Sequence, residues 1–147
     1  MSPTPFTQEA LLSRVINPNA AGKQRTRLTK AIVAAIRELM QQSEVNARSR
    51  DLAAFIALSL EEIARGVDVS ASAWEKRGYW VKADRFRMEW EWAGQTAASL
   101  REALLRDDWA QVAALTARVA EKLSHVKVSP RHRMGQPWLG AWEALRG

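Results

Sequence analysis

Between Tyr79 and Arg106 the chain has apolar residues at alternating steps of four and three, and no proline. This spacing is that of a coiled-coil seam, in which one face of a helix packs against a partner helix. A helix with such a seam has to bury it, so the pattern predicts an all-α chain with this long helix as its central element. The seam consists of Tyr79, Ala83, Phe86, Trp90, Ala93, Ala97, Leu100 and Leu104.

Three further long helices are predicted from apolar stripes at helical spacing. They run from about Gly22 to Gln42, from about Arg48 past Gly66 to Trp74, and from about Trp109 to Leu123. The chain is expected to turn at Arg77-Gly78, and with Gly78 as a left-handed cap the flanking helices pack antiparallel. The sequence therefore predicts an antiparallel four-helix-type bundle.

Residues that end helices separate the bundle from a segment at each end of the chain. Thr7 can cap a short helix that runs to about Ile16 and is ended by Asn17-Pro18-Asn19. After the bundle, prolines and glycines predict an extended tail, and Trp138, Trp142 and Leu145 then recur on one face of a short docking helix. We expect one domain with an arm at residues 1–22, a bundle at 23–124 and a tail at 125–147.

Composition and motifs favour a non-enzymatic, cytoplasmic protein. The 147 residues include no Cys, which excludes disulfides and thiolate chemistry, and no secretion signal or membrane span is evident. His125 and His132 fit no metal-binding spacing, and no glycine-rich phosphate loop is present. We interpret the pairs Glu61-Glu62 and Glu89-x-Glu91 as solvated faces and Asp107-Asp108 as a helix cap. No catalytic, cofactor or metal-binding residue is therefore predicted.

Positive charge is concentrated at the two ends of the chain, although the net charge is only +6. Residues 1–50 hold eight basic and three acidic residues, and residues 109–147 hold six and two. If the helices that carry them are neighbours, the cations form one strip that suits a phosphate backbone. An ordinary solvated helix face explains the same pattern, because no recognition fold accompanies the charge. The predicted nucleic-acid-binding residues are Lys23, Arg27, Lys30, Arg37, Arg118, Lys122, Lys127, Arg131 and Arg133.

Two apolar surfaces predict contact with a protein. Val81, Met88 and Trp92 lie about 180° around the long helix from its seam, so we expect a second partner to cover them, either the chain's own tail or another subunit. The alternative is that nothing covers this side, since lone exposed apolar residues are ordinary. Trp138 and Trp142 either bind a partner or fold back on the bundle. The first hypothesis is a non-enzymatic adaptor or accessory subunit that binds itself or another protein through these five residues.

The alternative is an accessory protein that binds nucleic acid through the basic strip. A small-molecule site among Trp74, Trp80 and Trp90 is a third possibility, although aromatic residues at helical spacing are more often part of a core. Arg85 with Glu89, and Arg87 with Glu91, are placed to form ion pairs within the long helix.

Overall fold

A computed structural model describes residues 18–147 of the chain, which form five α-helices that pack against one another and no strand. The all-α bundle predicted from the sequence is confirmed. The predicted helix from Thr7 to Ile16 lies outside the described residues. The helices are α1 (Pro18–Met40), α2 (Ala47–Lys76), α3 (Trp80–Leu105), α4 (Trp109–Lys122) and α5 (Ala141–Arg146).

The helix at the centre of the bundle is α2, which contacts each of the other four. All nine residues from Leu52 to Leu60 are buried, so this part of α2 is surrounded by protein. A helix that is apolar all round needs neighbours on every side, and the run Leu-Ala-Ala-Phe-Ile-Ala-Leu-Ser-Leu meets that condition. The expectation that the helix from Tyr79 to Arg106 is the central element is therefore wrong.

The ends of α2 explain how α1 and α3 are placed beside it. Asn46 caps its first turn by accepting a hydrogen bond from the Ser49 amide at 2.9 Å. At the other end Gly78 has a φ of +83°, and the amides of Gly78 and Tyr79 donate to the carbonyls of Glu75 and Trp74. This pair of bonds is a Schellman motif, and it reverses the chain as predicted.

The first helix begins earlier than the sequence predicts. It starts at Pro18 rather than near Gly22, because proline is compatible with the first turn of a helix, where its missing N–H has no partner to lose. Its extra turn brings Ala21 into the core beside Gly66 of α2, where a Cβ on the glycine would lie 3.6 Å from the Ala21 Cβ. Gly66 thus lies within α2 without ending it, as predicted.

The predicted seam of α3 is confirmed apart from its first residue. Ala83, Ala93, Ala97, Leu100 and Leu104 are buried, and Phe86 and Trp90 are half-buried against the core. Tyr79 precedes the helix and is 55% exposed. Because α3 packs mainly on α2 and α4, no other helix among residues 18–147 packs on its outer side.

The tail after α4 folds back and docks on α2 through the short helix α5. The Asp51 carboxylate of α2 accepts hydrogen bonds from the Gly140 and Trp142 amides, at 3.3 and 3.0 Å, and so caps the start of α5. Arg101 of α3 donates to the Leu145 carbonyl at 2.9 Å. No helix within residues 18–147 is both long and apolar enough to cross a membrane.

Candidate functional site

The outer side of α3 carries exposed apolar side chains near its start. Val81 is 65% exposed and Met88 is 73% exposed, although the tail of the chain is folded against the bundle. Because α5 docks on α2, the tail does not cover these two residues. Of the two partners expected from the sequence, this excludes the chain's own tail for Val81 and Met88.

Two aromatic residues that sequence reasoning did not assign to this surface lie beside Val81. Trp80 is 60% exposed and Tyr79 is 55% exposed. The four-three repeat of the seam includes Tyr79, but the helix begins one residue later, at Trp80. We define Tyr79, Trp80, Val81 and Met88 as the α3 patch.

Trp92, the third predicted residue of this side, is half-buried rather than exposed. Its ring stacks on that of Trp90, with 6.0 Å between the ring centroids and 26° between the planes. Trp90 and Trp92 are two residues apart and so about 200° apart around the helix, and their large indole rings reach each other across this angle, so the outer position of Trp92 does not keep it in solvent. Trp92 therefore borders the α3 patch and does not form its centre.

The α3 patch lies on a well-supported part of the bundle. Arg87 of α3 donates a hydrogen bond to Glu75 of α2 at 2.8 Å and lies 3.3 Å from Asp68. The hydrogen bond raises the pKa of Arg87, and the same bond lowers the pKa of Glu75. These contacts join the start of α3 to the end of α2, although the sequence predicts that Arg87 pairs with Glu91. Trp74 adds an edge-to-face contact with Phe86, at 4.9 Å between centroids.

The two tryptophans of the tail contact their own chain. Trp138 is 2% exposed and belongs to the core, so it is not available to a partner and the sequence prediction of a protein-binding Trp138 is corrected. Trp142 is half-buried, its amide donates to Asp51, and the Arg146 guanidinium lies 5.7 Å from its ring centroid. Of the two interpretations of the tail, the structure agrees with the second, in which the tail folds back on the bundle.

The predicted basic strip remains at the surface. Eight of its nine side chains are exposed and Arg37 is half-buried. In residues 18–147, ion pairs use other arginines, so no carboxylate neutralises any member of the strip. The arginines that do form ion pairs are Arg48, Arg50, Arg65, Arg87, Arg101, Arg106 and Arg146.

Part of the strip is brought together where the chain leaves α4 and crosses α1. Lys30 of α1 and Lys127 line one pocket of about 320 Å³ together with His125. Arg37, about two turns further along α1, donates a hydrogen bond to the Val128 carbonyl at 2.9 Å. Arg118, Lys122, Arg131 and Arg133 are exposed on α4 and the tail and do not line this pocket.

An apolar groove between the end of α1 and α4 was not predicted. It has a volume of about 510 Å³ and is lined by residues such as Leu39, Trp109 and Ala117, with the exposed Met40 and Val45 at one end. The two helices touch only over a short distance, and this leaves the groove between them. The small side chains of α4, Ala113, Ala117 and Ala120, are the sequence signal that the two helices are not fully interleaved.

The acidic pair Glu61-Glu62 is not a solvated face, which corrects the sequence interpretation. Arg101 holds Glu61 in a two-point contact, with Nε and Nη2 at 2.7 and 3.0 Å from its oxygens. The Glu62 side chain is wholly buried and accepts a hydrogen bond from Arg65 at 3.1 Å. The two carboxyls point to different partners, and in residues 18–147 no group of three His, Asp or Glu side chains could hold a metal ion.

Comparison with known proteins gives no relative. No protein-family model matches the chain, and no match was found among curated proteins or solved structures. The function is therefore argued from the surfaces described above.

Proposed function

We propose that this chain is a non-enzymatic interaction protein that binds itself or another protein through the α3 patch. The observation that carries the proposal is the exposure of Val81 and Met88, at 65% and 73%, on a chain whose tail is already docked elsewhere. Large apolar side chains grouped on one surface mark contact sites, whereas single ones are ordinary. Trp80 and Tyr79 strengthen the grouping, since aromatic residues are enriched at the centres of interfaces.

The geometry of the α3 patch supports binding without a large rearrangement. The patch lies on the first turns of a long helix that is fixed to α2 by Arg87 and by the packing of Trp74 on Phe86. A side chain held on a rigid helix loses less conformational freedom on binding than one on a loop. The exposed cations Lys82 and Arg85 border the apolar residues and form a polar rim.

Self-association is tested by sedimentation velocity over a wide range of protein concentration. The double variant Val81→Glu/Met88→Glu places two carboxylates in the α3 patch and should abolish any concentration-dependent rise in mass. Leu105→Glu is the matched control, because Leu105 is a 55% exposed leucine at the other end of the same helix. Loss of association in both variants would point to a general effect of charge and would contradict the proposal.

Binding of another protein is tested with a photo-crosslinking amino acid at position 88, and at position 105 as control, in the cells that make the protein. A discrete adduct at position 88 that disappears on addition of Val81→Glu supports the proposal. A mass that is constant at all concentrations, together with no position-specific adduct, would overturn it in both forms.

A second function, binding of nucleic acid, is supported by the basic strip. Its nine cations have no carboxylate partner in residues 18–147, whereas seven arginines elsewhere do. Cations that are free of internal partners can neutralise phosphates without first breaking an ion pair. We propose this function as the alternative to protein binding.

The test of the alternative is binding of mixed-sequence RNA and DNA at several salt concentrations. Affinity should fall steeply with salt, and Lys23→Ala/Lys30→Ala/Lys127→Ala should weaken binding and reduce the salt dependence. The control Arg48→Ala/Arg106→Ala/Arg146→Ala removes the same charge from exposed arginines that are already paired. Equal effects of the two triple variants, or no binding at low salt, would contradict nucleic-acid binding.

A further inference from the structure

The pocket between α1 and the segment that follows α4 is lined by basic and neutral residues. Its volume of about 320 Å³ is at the lower end of the range for small-molecule sites. Among residues 18–147 no carboxylate contributes to its lining, and this distinguishes it from the larger pocket beside α5, which contains Asp51, Asp107 and Glu143. The lining residues are Arg25, Thr26, Thr29, Lys30, Trp90, His125, Val126 and Lys127.

The two lysines of this pocket are available to an anion. Lys30 and Lys127 are exposed, and in the described part of the chain neither forms an ion pair. His125 adds an imidazole, which offers at least one N–H donor in either protonation state. The hydroxyls of Thr26 and Thr29 donate to the backbone carbonyls of Gly22 and Thr26, so the donors for a ligand are the lysines and the histidine.

Arg25 adds a positive charge beneath the pocket. Its guanidinium carbon lies 4.7 Å from the centroid of the Phe86 ring and 5.8 Å from that of Trp90. Burial lowers the pKa of Arg25, and the charge of Glu89 opposes this shift without an ion pair. The buried Nη1 has no hydrogen-bond partner. A cation held in this way raises the positive potential of the pocket, because it is poorly neutralised and poorly screened.

The walls of the pocket are fixed, and they limit the kind of ligand. The Val126 amide donates to the Leu123 carbonyl at 2.9 Å, and Arg37 holds Val128 against α1. The Trp90 ring has Arg25 near it and Trp92 stacked on it. Both neighbours lie within about 6 Å of the ring centroid, and this limits the space in which a nucleobase could stack on Trp90.

We infer that this pocket binds a phosphate group, held by the side chains of Lys30, Lys127 and His125 over the charge of Arg25. Phosphate suits it because Lys30, Lys127 and His125 line the same small pocket, and a tetrahedral anion can accept hydrogen bonds from several donors at once. This site goes beyond the proposed function and uses none of the residues of the α3 patch. It is also narrower than the basic strip, since it requires a pocket and not an extended surface.

The inference is tested by titrating the full chain with inorganic phosphate at constant ionic strength. Binding is measured by calorimetry and by the NMR signal of the His125 ring. We expect saturable binding that is weakened at least tenfold in Lys30→Gln/Lys127→Gln. The matched control is Lys23→Gln/Lys122→Gln, which removes the same charge from exposed lysines outside the pocket. Circular dichroism of both variants should match that of the unmodified chain, because all four side chains are exposed.

The source of the phosphate is distinguished by two further ligands. A nucleoside monophosphate that binds more tightly than inorganic phosphate indicates a small phosphate ester. A 5′-phosphorylated oligonucleotide that binds more tightly than its 5′-hydroxyl form indicates the end of a nucleic acid. Either result supports the pocket, as does binding of inorganic phosphate alone. Binding that does not saturate, or that falls equally in the two double variants, would overturn it and would leave the α3 patch unaffected.

Discussion

At the scale of single residues, the contact between Arg87 and Glu75 makes a prediction about acid. The hydrogen bond at 2.8 Å lowers the pKa of Glu75, so folding favours its ionised form. A carboxyl whose pKa is lowered by folding contributes stability above its unfolded pKa of about 4.3, and the contribution is lost as the pH falls through the folded value. Glu75→Gln should therefore reduce the free energy of unfolding at neutral pH, and the difference should shrink as the pH falls below the unfolded pKa and towards the lowered folded pKa.

Urea unfolding of both proteins at a series of pH values measures this difference. Groups that the two proteins share cancel in the comparison, so its pH dependence reports on Glu75. Glu121→Gln is the control, because Glu121 is exposed and in no ion pair of the described residues. A loss of stability in Glu75→Gln that stays the same at all pH values would show that the carboxylate charge is not its cause.

The partners of charged residues are the part of the structure that sequence spacing predicts least well. Arg87 is four residues before Glu91, yet it reaches across to α2, where two carboxylates lie within 3.3 Å of its guanidinium. Glu61 and Glu62 are interpreted from the sequence as a solvated face because adjacent residues on a helix point apart, but Glu62 is buried in the core. Local spacing contains no information on which helix lies opposite.

At the scale of elements, two glycines of the α2–α3 hairpin should respond in opposite ways to alanine. Gly66 is inside α2, and a Cβ there would meet Ala21 at an ordinary contact distance of 3.6 Å. Gly66→Ala should therefore raise the free energy of unfolding by about 0.5–1 kcal/mol through helix propensity. Gly78 has a φ of +83° and open space around it, so Gly78→Ala should lower the free energy by about 1–2 kcal/mol through backbone strain alone.

Urea unfolding measures both changes, and each variant serves as the control for the other. Destabilisation by Gly66→Ala would mean that α1 and α2 are packed more tightly at Ala21 than the structure has them. No effect of Gly78→Ala would mean that the turn adopts another conformation. The sign of each change, more than its size, tests the hairpin.

The boundaries of α2 and α3 could be predicted from the sequence. Which of the two helices is central to the bundle could not be derived from the seam of α3. A repeating seam in α3 identifies one buried face, whereas the unbroken apolar run from Leu52 to Leu60 means burial on all faces. The outer side of α3 was correctly placed opposite the seam, since helix geometry alone fixes that relation.

At the scale of the whole molecule, the surfaces could be predicted only where they depend on one helix. Val81 and Met88 were found from the angular position of residues on α3, and both are exposed. The phosphate pocket and the apolar groove each need two segments that are distant in sequence, such as Lys30 with Lys127, and no local pattern joins them. Whether the tail folds back depends in the same way on the surface of α2 that it contacts.

The tail of the molecule gives the prediction that best separates folding from binding. Trp138 is 2% exposed and joins the tail to the core, so Trp138→Ala should lower the free energy of unfolding by about 3–5 kcal/mol. Trp138→Phe should cost less, because it fills most of the space and removes an indole N–H that has no hydrogen-bond partner. Met88→Ala should change stability by less than about 0.5 kcal/mol, because Met88 is 73% exposed.

Urea unfolding and hydrogen exchange of the amides of α5 measure these three variants together. Trp138→Ala should also increase exchange at Ala141 to Arg146, because the helix loses the anchor that precedes it, whereas Met88→Ala should leave these amides as protected as before. If Trp138→Ala instead left stability and exchange unchanged while it weakened association, the tail would be a contact element for a partner. In that case the tail would take the role that is here assigned to the α3 patch.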